Sequence, residues 1–170
     1  IEGGAEPLRE LNKSARAKLL SDLKRTGIEI ETNRNAQSLN AGFELIVSTA
    51  GAKPYICLSE TDLTLENGYV AVNQHLQSIN TPDVFAAGDC AHLSHAPRPK
   101  AGVFAVRQAP VLFENLRAQL SGGPLRPYHP QRSYLKLISR GGKSAVTDKW
   151  GIGLSGDWVW HWKDRIDKTL

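Results

Sequence analysis

Apolar residues recur at Ala15, Leu19, Leu20 and Leu23, the spacing of one helix face, and Asn12 stands where such a helix needs a cap. Gly27 supplies its stop. Ile28-Glu29-Ile30 then alternates as a short strand, and a connecting stretch of weak β character runs through Leu39 to Gly42. Phe43-Glu44-Leu45-Ile46-Val47-Ser48-Thr49 has an apolar centre, which predicts a buried strand. Thr49-Ala50-Gly51-Ala52-Lys53-Pro54 closes it with turn chemistry, since Gly permits unusual φ and Pro stops pairing.

From Pro54 to Pro82 the chain is rich in turns, with a hairpin pattern at Asn67-Gly68-Tyr69-Val70-Ala71-Val72. Val84-Phe85-Ala86-Ala87 reads as a short apolar strand closed by Gly88-Asp89. A long helix is predicted from about Ala101 to Leu120. Ala105, Ala109, Leu112, Leu116 and Leu120 share one face, with further apolar residues on the others, so a helix buried inside a domain is expected. Gly122-Gly123-Pro124 ends it. Strands follow at Tyr134 to Ser139 and Ser144 to Leu154 around Gly141-Gly142, and Trp158, Trp162 and Ile166 then recur at helical spacing. Strands and helices in this order define an α/β protein.

Composition narrows the class. Of 170 residues, 41% are hydrophobic and 22% charged, ordinary for a globular protein. No apolar run approaches the ~18 residues of a membrane span. The net charge of +4 is dispersed, which argues against nucleic acid as a partner, because phosphate binding needs cations gathered on one face. Cys57 and Cys90 form no Cys-x-x-Cys pair and read as reduced thiols, so this segment supplies no redox-active disulfide. The chain has no Met and opens on Ile1-Glu2-Gly3-Gly4, which reads as the end of a strand; the expectation is a C-terminal portion of a larger protein.

The most informative segment is Thr81-Pro82-Asp83-Val84-Phe85-Ala86-Ala87-Gly88-Asp89-Cys90-Ala91. A short apolar strand delivers a glycine, whose missing side chain lets a ligand approach the backbone. The acid after it can accept hydrogen bonds from sugar-type hydroxyls at a strand's carboxyl end, where open α/β sheets bind ligands. Gly-Asp alone is a common turn; the surrounding residues make the signal specific.

That segment resembles the second FAD-binding motif of the pyridine nucleotide-disulfide oxidoreductase superfamily. Thr49 to Pro54 resembles the return from that family's NAD domain to its FAD domain, and Gly68 to Asn73 with Leu76-Gln77-Ser78 the hairpin before the motif. Lys100-Ala101-Gly102-Val103-Phe104-Ala105-Val106-Arg107-Gln108-Ala109 resembles the helix whose N-terminus faces the flavin. Within the superfamily the chain looks most like the type II NADH dehydrogenase-like branch, and it is also similar to the flavoprotein module fused to selenide, water dikinase. The resemblance implies a partial FAD/NAD(P)-binding two-dinucleotide fold, Rossmann-like, with a C-terminal β-hairpin and helix. It implies three parts: residues 1–53 from the NAD(P)-binding domain, 54–127 from the FAD-binding domain, and 128–170 as the hairpin and Trp-rich helix.

On the same resemblance Asp89, following Gly88, would bind the ribityl chain of FAD, with Ala101, Gly102 and Val103 at the helix end facing the flavin pyrimidine and Gly51 at the domain return. Glu2 would take the adenosine ribose of NAD. Gly3-Gly4 offers no Arg for a 2′-phosphate, which favours NADH over NADPH. No residue is an evident acid–base catalyst. The implied activity passes hydride from NADH to flavin and on to a quinone or other acceptor, in a cytoplasmic protein able to sit peripherally on a membrane. The alternatives are the flavoprotein module of a bifunctional selenide, water dikinase, and a non-catalytic remnant that dimerises; a homo-oligomer is expected in either setting. The family's Gly-x-Gly-x-x-Gly loops are absent, and Gly151-Ile152-Gly153 lacks the third glycine, so the chain alone should bind FAD poorly.

Other chemistries are weaker. His92 and His95 near Cys90 and Asp89 make an insufficient metal set. Gly-x-Ser-x-Gly is absent, which removes a Ser-His-Asp hydrolase. Trp158, Trp160 and Trp162 with Lys163, Arg165 and Lys168 could form an interfacial helix, but Asp157, Asp164 and Asp167 dilute its basic face, and packing against the FAD domain or a partner subunit is the plainer expectation.

Overall fold

The computed structural model describes residues 1–35, 42–49, 51, 53–149 and 151–169. The connecting stretch through Leu39 and the Ala50 and Ala52 positions of the Thr49–Pro54 turn lie outside the described residues. The chain divides into two compact units, residues 1–47 with 133–170, and residues 48–132.

The first unit begins with α1, Lys13–Arg25. Asn12 caps it as expected, its side-chain oxygen accepting from the Ala15 N–H at 2.9 Å, while its amide donates to Asp148. Gly27 follows at φ +78°, a left-handed conformation in which Gly costs least. Strands β4 (Lys136–Gly141), β5 (Ser144–Asp148) and β6 (Ser155–Gly156) form an antiparallel sheet in the order β4-β5-β6. Gly141, Gly142 and Lys143 all take positive φ, so two glycines and one strained lysine make the β4–β5 turn. Ala15 and Leu19 of α1 pack on Val146 of β5, with Leu8, Leu11 and Ile138 around them. Gly153 meets α1 backbone to backbone: a Cβ on it would lie 2.6 Å from the Ala15 nitrogen. Helix α3, Asp157–Asp167, buries Val159 and leaves Trp158 and Trp162 exposed.

Two expectations for this unit need correction. Ile28–Ile30 forms no strand. Phe43 to Val47, read as a buried strand, is neither: Leu45 is 78% exposed and Val47 71%. An apolar run states which environment suits the residues. It does not supply the layer that would cover them.

In the second unit the Asn67-Gly68 pair, both at positive φ, turns β1 (Leu65–Glu66) into β2 (Tyr69–Val72), the hairpin expected. β3, Ala91–Leu93, pairs parallel with β2, so the chain between them crosses over. Val84–Ala87 forms no named strand; it is held by an isolated Gln77–Phe85 bridge and by the Ala86 N–H donating to Leu76. Helix α2, Gly102–Ser121, ends at Gly122 with φ +68°. Its core face differs from the apolar stripe in the sequence. Phe104, Gln108, Val111 and Asn115 are buried, whereas Phe113, Leu116 and Leu120 are exposed. The two polar members hold the fold together. Asn115 donates to the His75 and Arg126 carbonyls at 2.9 Å each and accepts from the Arg126 N–H at 2.7 Å. The apolar core is Val70, Val72, Leu76, Ala86, Ala91, Leu93, Val111 and Tyr128.

Candidate functional site

Ala87 ends in extended geometry, and Gly88–Cys90 form one 3-10 turn before β3. Gly88 adopts φ +69°, and a Cβ there would also stand 3.3 Å from that of Ala105. Conformation and space both select glycine. The Gly88 N–H donates to Gln108 Oε1 at 2.5 Å, so the buried polar residue on α2 fixes the loop that presents Asp89. Cys90 is exposed, its thiol 3.1 Å from the Ala87 carbonyl.

Gly88 and Asp89 border a shallow open crevice whose other walls include Arg98, Lys100, Ala101 and Phe104. Asp89 is exposed on it. Ala101 is the N-cap of α2 and has no side-chain bond to the first turn, so Gly102 and Val103 begin the helix with free N–H groups. Nothing stands within 4 Å of a Cβ placed on Gly102. The positive end of the helix dipole therefore opens toward whatever lies beside it. Lys100 donates to the Ala91 carbonyl and lies 4.0 Å from the centre of the Tyr69 ring. Burial lowers its pKa, and the charges of Asp89 and Cys90 oppose that shift.

Gly88, Asp89, Ala101, Gly102 and Val103, singled out in the sequence, are thus gathered around one crevice and one helix end. Gly51 is exposed and is not among the crevice residues. Glu2 belongs to the first unit; its carboxylate accepts from the Gly4 N–H at 2.8 Å, and its backbone pairs with Glu31 and Arg34. Arg98, Lys100 and Gln108 are additions that the sequence reading did not select. Gln108 had a signal, being polar where α2 turns inward beside Phe104 and Val111. His92 lies 3.1 Å from Glu66 without hydrogen-bond geometry, and among the described residues no group of His, Cys, Asp and Glu could hold a metal.

The crevice and the helix end beside it differ in polarity. Asp89 can only accept, the α2 terminus can only donate, and the glycine leaves backbone room between them. A ligand that offers both hydroxyls and a carbonyl would satisfy both sides.

Residues 1–109 match the pyridine nucleotide-disulphide oxidoreductase family, and the chain belongs to it. It is therefore part of a family of oxidoreductases that bind FAD and NAD(P). Among relatives, a mitochondrial sulfide:quinone oxidoreductase of Schizosaccharomyces pombe is 31% identical over 62% of this chain and 23% of its own length. An FAD-dependent oxidoreductase of Flammulina velutipes is 30% identical over 75% of this chain and 37% of its own. The chain thus spans between a fifth and two fifths of these two relatives. A ferredoxin reductase from Rhodopseudomonas palustris aligns over 86% of this chain and 45% of its own, with a TM-score of 0.58 at 16% identity. That likeness shows the fold, the α/β FAD/NAD(P)-binding type expected. No helix among the described residues is long and apolar enough to cross a membrane.

Proposed function

We propose that this chain supplies the ribityl- and pyrimidine-binding half of an FAD site in an oxidoreductase of its relatives' length. One observation carries the reading: Gly88-Asp89 and the uncapped end of α2 share one crevice. The Asp89 carboxylate accepts from ribityl hydroxyls. The Gly102 and Val103 N–H groups, beside Ala101, stabilise negative charge at flavin N1 and O2 through hydrogen bonds and the helix dipole. When bound, the flavin supplies the redox chemistry, taking hydride from reduced nicotinamide and passing electrons to an acceptor.

Glu2 binds the adenosine ribose, and NADH is preferred to NADPH because Gly3-Gly4 brings no cation to a 2′-phosphate. Gly51 sits at the return from the NAD-binding part (1–53) to the FAD-binding part (54–127), with 128–170 as the C-terminal hairpin and helix. A quinone acceptor is supported by the relative that is named for one. The exposed Trp158 and Trp162 of α3 support peripheral contact with a membrane, and the exposed apolar run at Phe43–Val47 supports self-association.

The test is flavin retention by the intact protein. Charge-assisted hydrogen bonds of ~1.5–3 kcal/mol predict that Asp89→Ala weakens FAD binding by about 10- to 100-fold with the fold preserved by circular dichroism. Unchanged flavin content and affinity would remove Asp89, and this reading with it.

A further inference from the structure

We propose that Gln108 is a positioning residue for the cofactor, holding Gly88 in the conformation that presents Asp89. The inference rests on the flavin reading above and deepens it. Gln108 is 3% exposed, on a face of α2 where its neighbours at helical spacing, Phe104 and Val111, are apolar. A buried amide is costly there unless it is hydrogen-bonded. Its oxygen accepts from the Gly88 N–H at 2.5 Å. Asn115, the other buried amide of this face, bonds the backbone of His75 and Arg126 and is not among the crevice residues. Gln108 lines the crevice together with Gly88 and Asp89. One amide thus serves the fold, and the other reaches the loop that carries the acid.

That loop needs holding. Its conformation and its closeness to Ala105 require a glycine at position 88, yet glycine is the residue with the weakest conformational preference. The turn beyond it is fastened at several points. The Ala91 N–H donates to the Gly88 carbonyl, the Cys90 thiol to the Ala87 carbonyl at 3.1 Å, and Lys100 to the Ala91 carbonyl. Gln108 fastens the entrance. Asp89 lies between these points, and among the described residues its own carboxylate accepts no hydrogen bond. The direction of the acid is therefore set by the backbone on either side of it. With the Gln108 contact gone, the Gly88 backbone regains its freedom, and ligand binding has to order it again.

The experiment is titration of the intact apoprotein with FAD, followed by quenching of flavin fluorescence, as a double-mutant cycle with Asp89. Gln108→Met keeps the length of the side chain in the core and removes the acceptor; Gln108→Asn keeps the amide and removes its reach. Each should raise the FAD Kd about tenfold, the cost of ordering one residue's backbone, with the fold preserved by circular dichroism. In the Asp89→Ala background neither should change Kd by more than about twofold, since the acid they position is gone. A folded variant of either kind that binds FAD like the parent overturns the proposal. An equal loss in both backgrounds does so too, because a general weakening of the domain does not need Asp89. Asp89→Ala binding FAD as tightly as the parent removes the flavin reading and this proposal with it, whereas failure of the Gln108 variants alone leaves that reading standing.

Discussion

In the first unit Asp22 of α1 and Arg140 of β4 form a two-point ion pair that fastens helix to sheet. Arg140 Nη2 donates to Asp22 Oδ1 at 2.8 Å and its Nε to the other carboxylate oxygen, while Arg25 adds a contact at 3.0 Å. The hydrogen bonds from Arg140, then those from Arg25, hold the Asp22 carboxyl at about 2, against an ordinary 3.8. A depressed acid contributes stability that is complete above its unfolded pKa and disappears as pH falls through its folded value. The window here is from about pH 4 down to about pH 2. The shift corresponds to at most about 2 kcal/mol. The pair still touches solvent, its side chains 16% and 21% exposed, and screening reduces the figure to about 1 kcal/mol. Asp22→Asn should therefore lower Tm by ~2–4 °C at pH 7. The gap from the parent should close between pH 4 and pH 2, where the parent also loses its charge. Calorimetric scans across that range measure the gap, and a double-mutant cycle with Arg140→Gln isolates the pair. A gap that stays constant down to pH 2, or a cycle without coupling, refutes the reasoning.

Two further substitutions probe the packing. Gly153→Ala places a Cβ against the Ala15 nitrogen, where only backbone can give way, so a loss of ~1–3 kcal/mol is expected in urea unfolding with the far-ultraviolet spectrum retained; unaltered stability would mean that α1 yields freely. Asn115→Ala leaves two carbonyls and one N–H without their partner inside the second unit, and should cost about 3 kcal/mol or more, read as a lowered urea midpoint.

Local signals in the sequence were the reliable ones. Asn12, Asn67-Gly68, Gly88 and Gly122 each act through geometry within a few residues, so the cap, the hairpin turn, the Gly88 turn and the helix end could be read directly. Long-range roles could not. Helix α2 was expected to be buried on most sides, yet only the face of Phe104, Gln108, Val111 and Asn115 is, and its polar members Gln108 and Asn115 serve the Gly88 loop and the 126 turn from 20 and 11 residues away. The Phe43–Val47 run was correctly seen as apolar, but periodicity carries no information about what covers it.

The same distinction explains what the crevice can select. Its charged residues are Asp89, Arg98 and Lys100, yet they are not equally available. The Lys100 ammonium is already committed to the Ala91 carbonyl and the Tyr69 ring, and Arg98 to the Pro97 and Gln131 carbonyls. Among the described residues the Asp89 carboxylate accepts no hydrogen bond and joins no ion pair, and it is exposed. The cations therefore brace the segment that leads into α2, and the acid faces outward. One wall of the crevice thus carries an exposed acceptor, and another carries Ala101 and Phe104 at the start of α2. On the FAD reading proposed above, that pairing would favour groups that offer hydroxyls and a carbonyl over groups distinguished by net charge alone. Gln108 makes that pairing durable: by holding the Gly88 N–H it ties the acid's loop to the same helix whose end provides the donors.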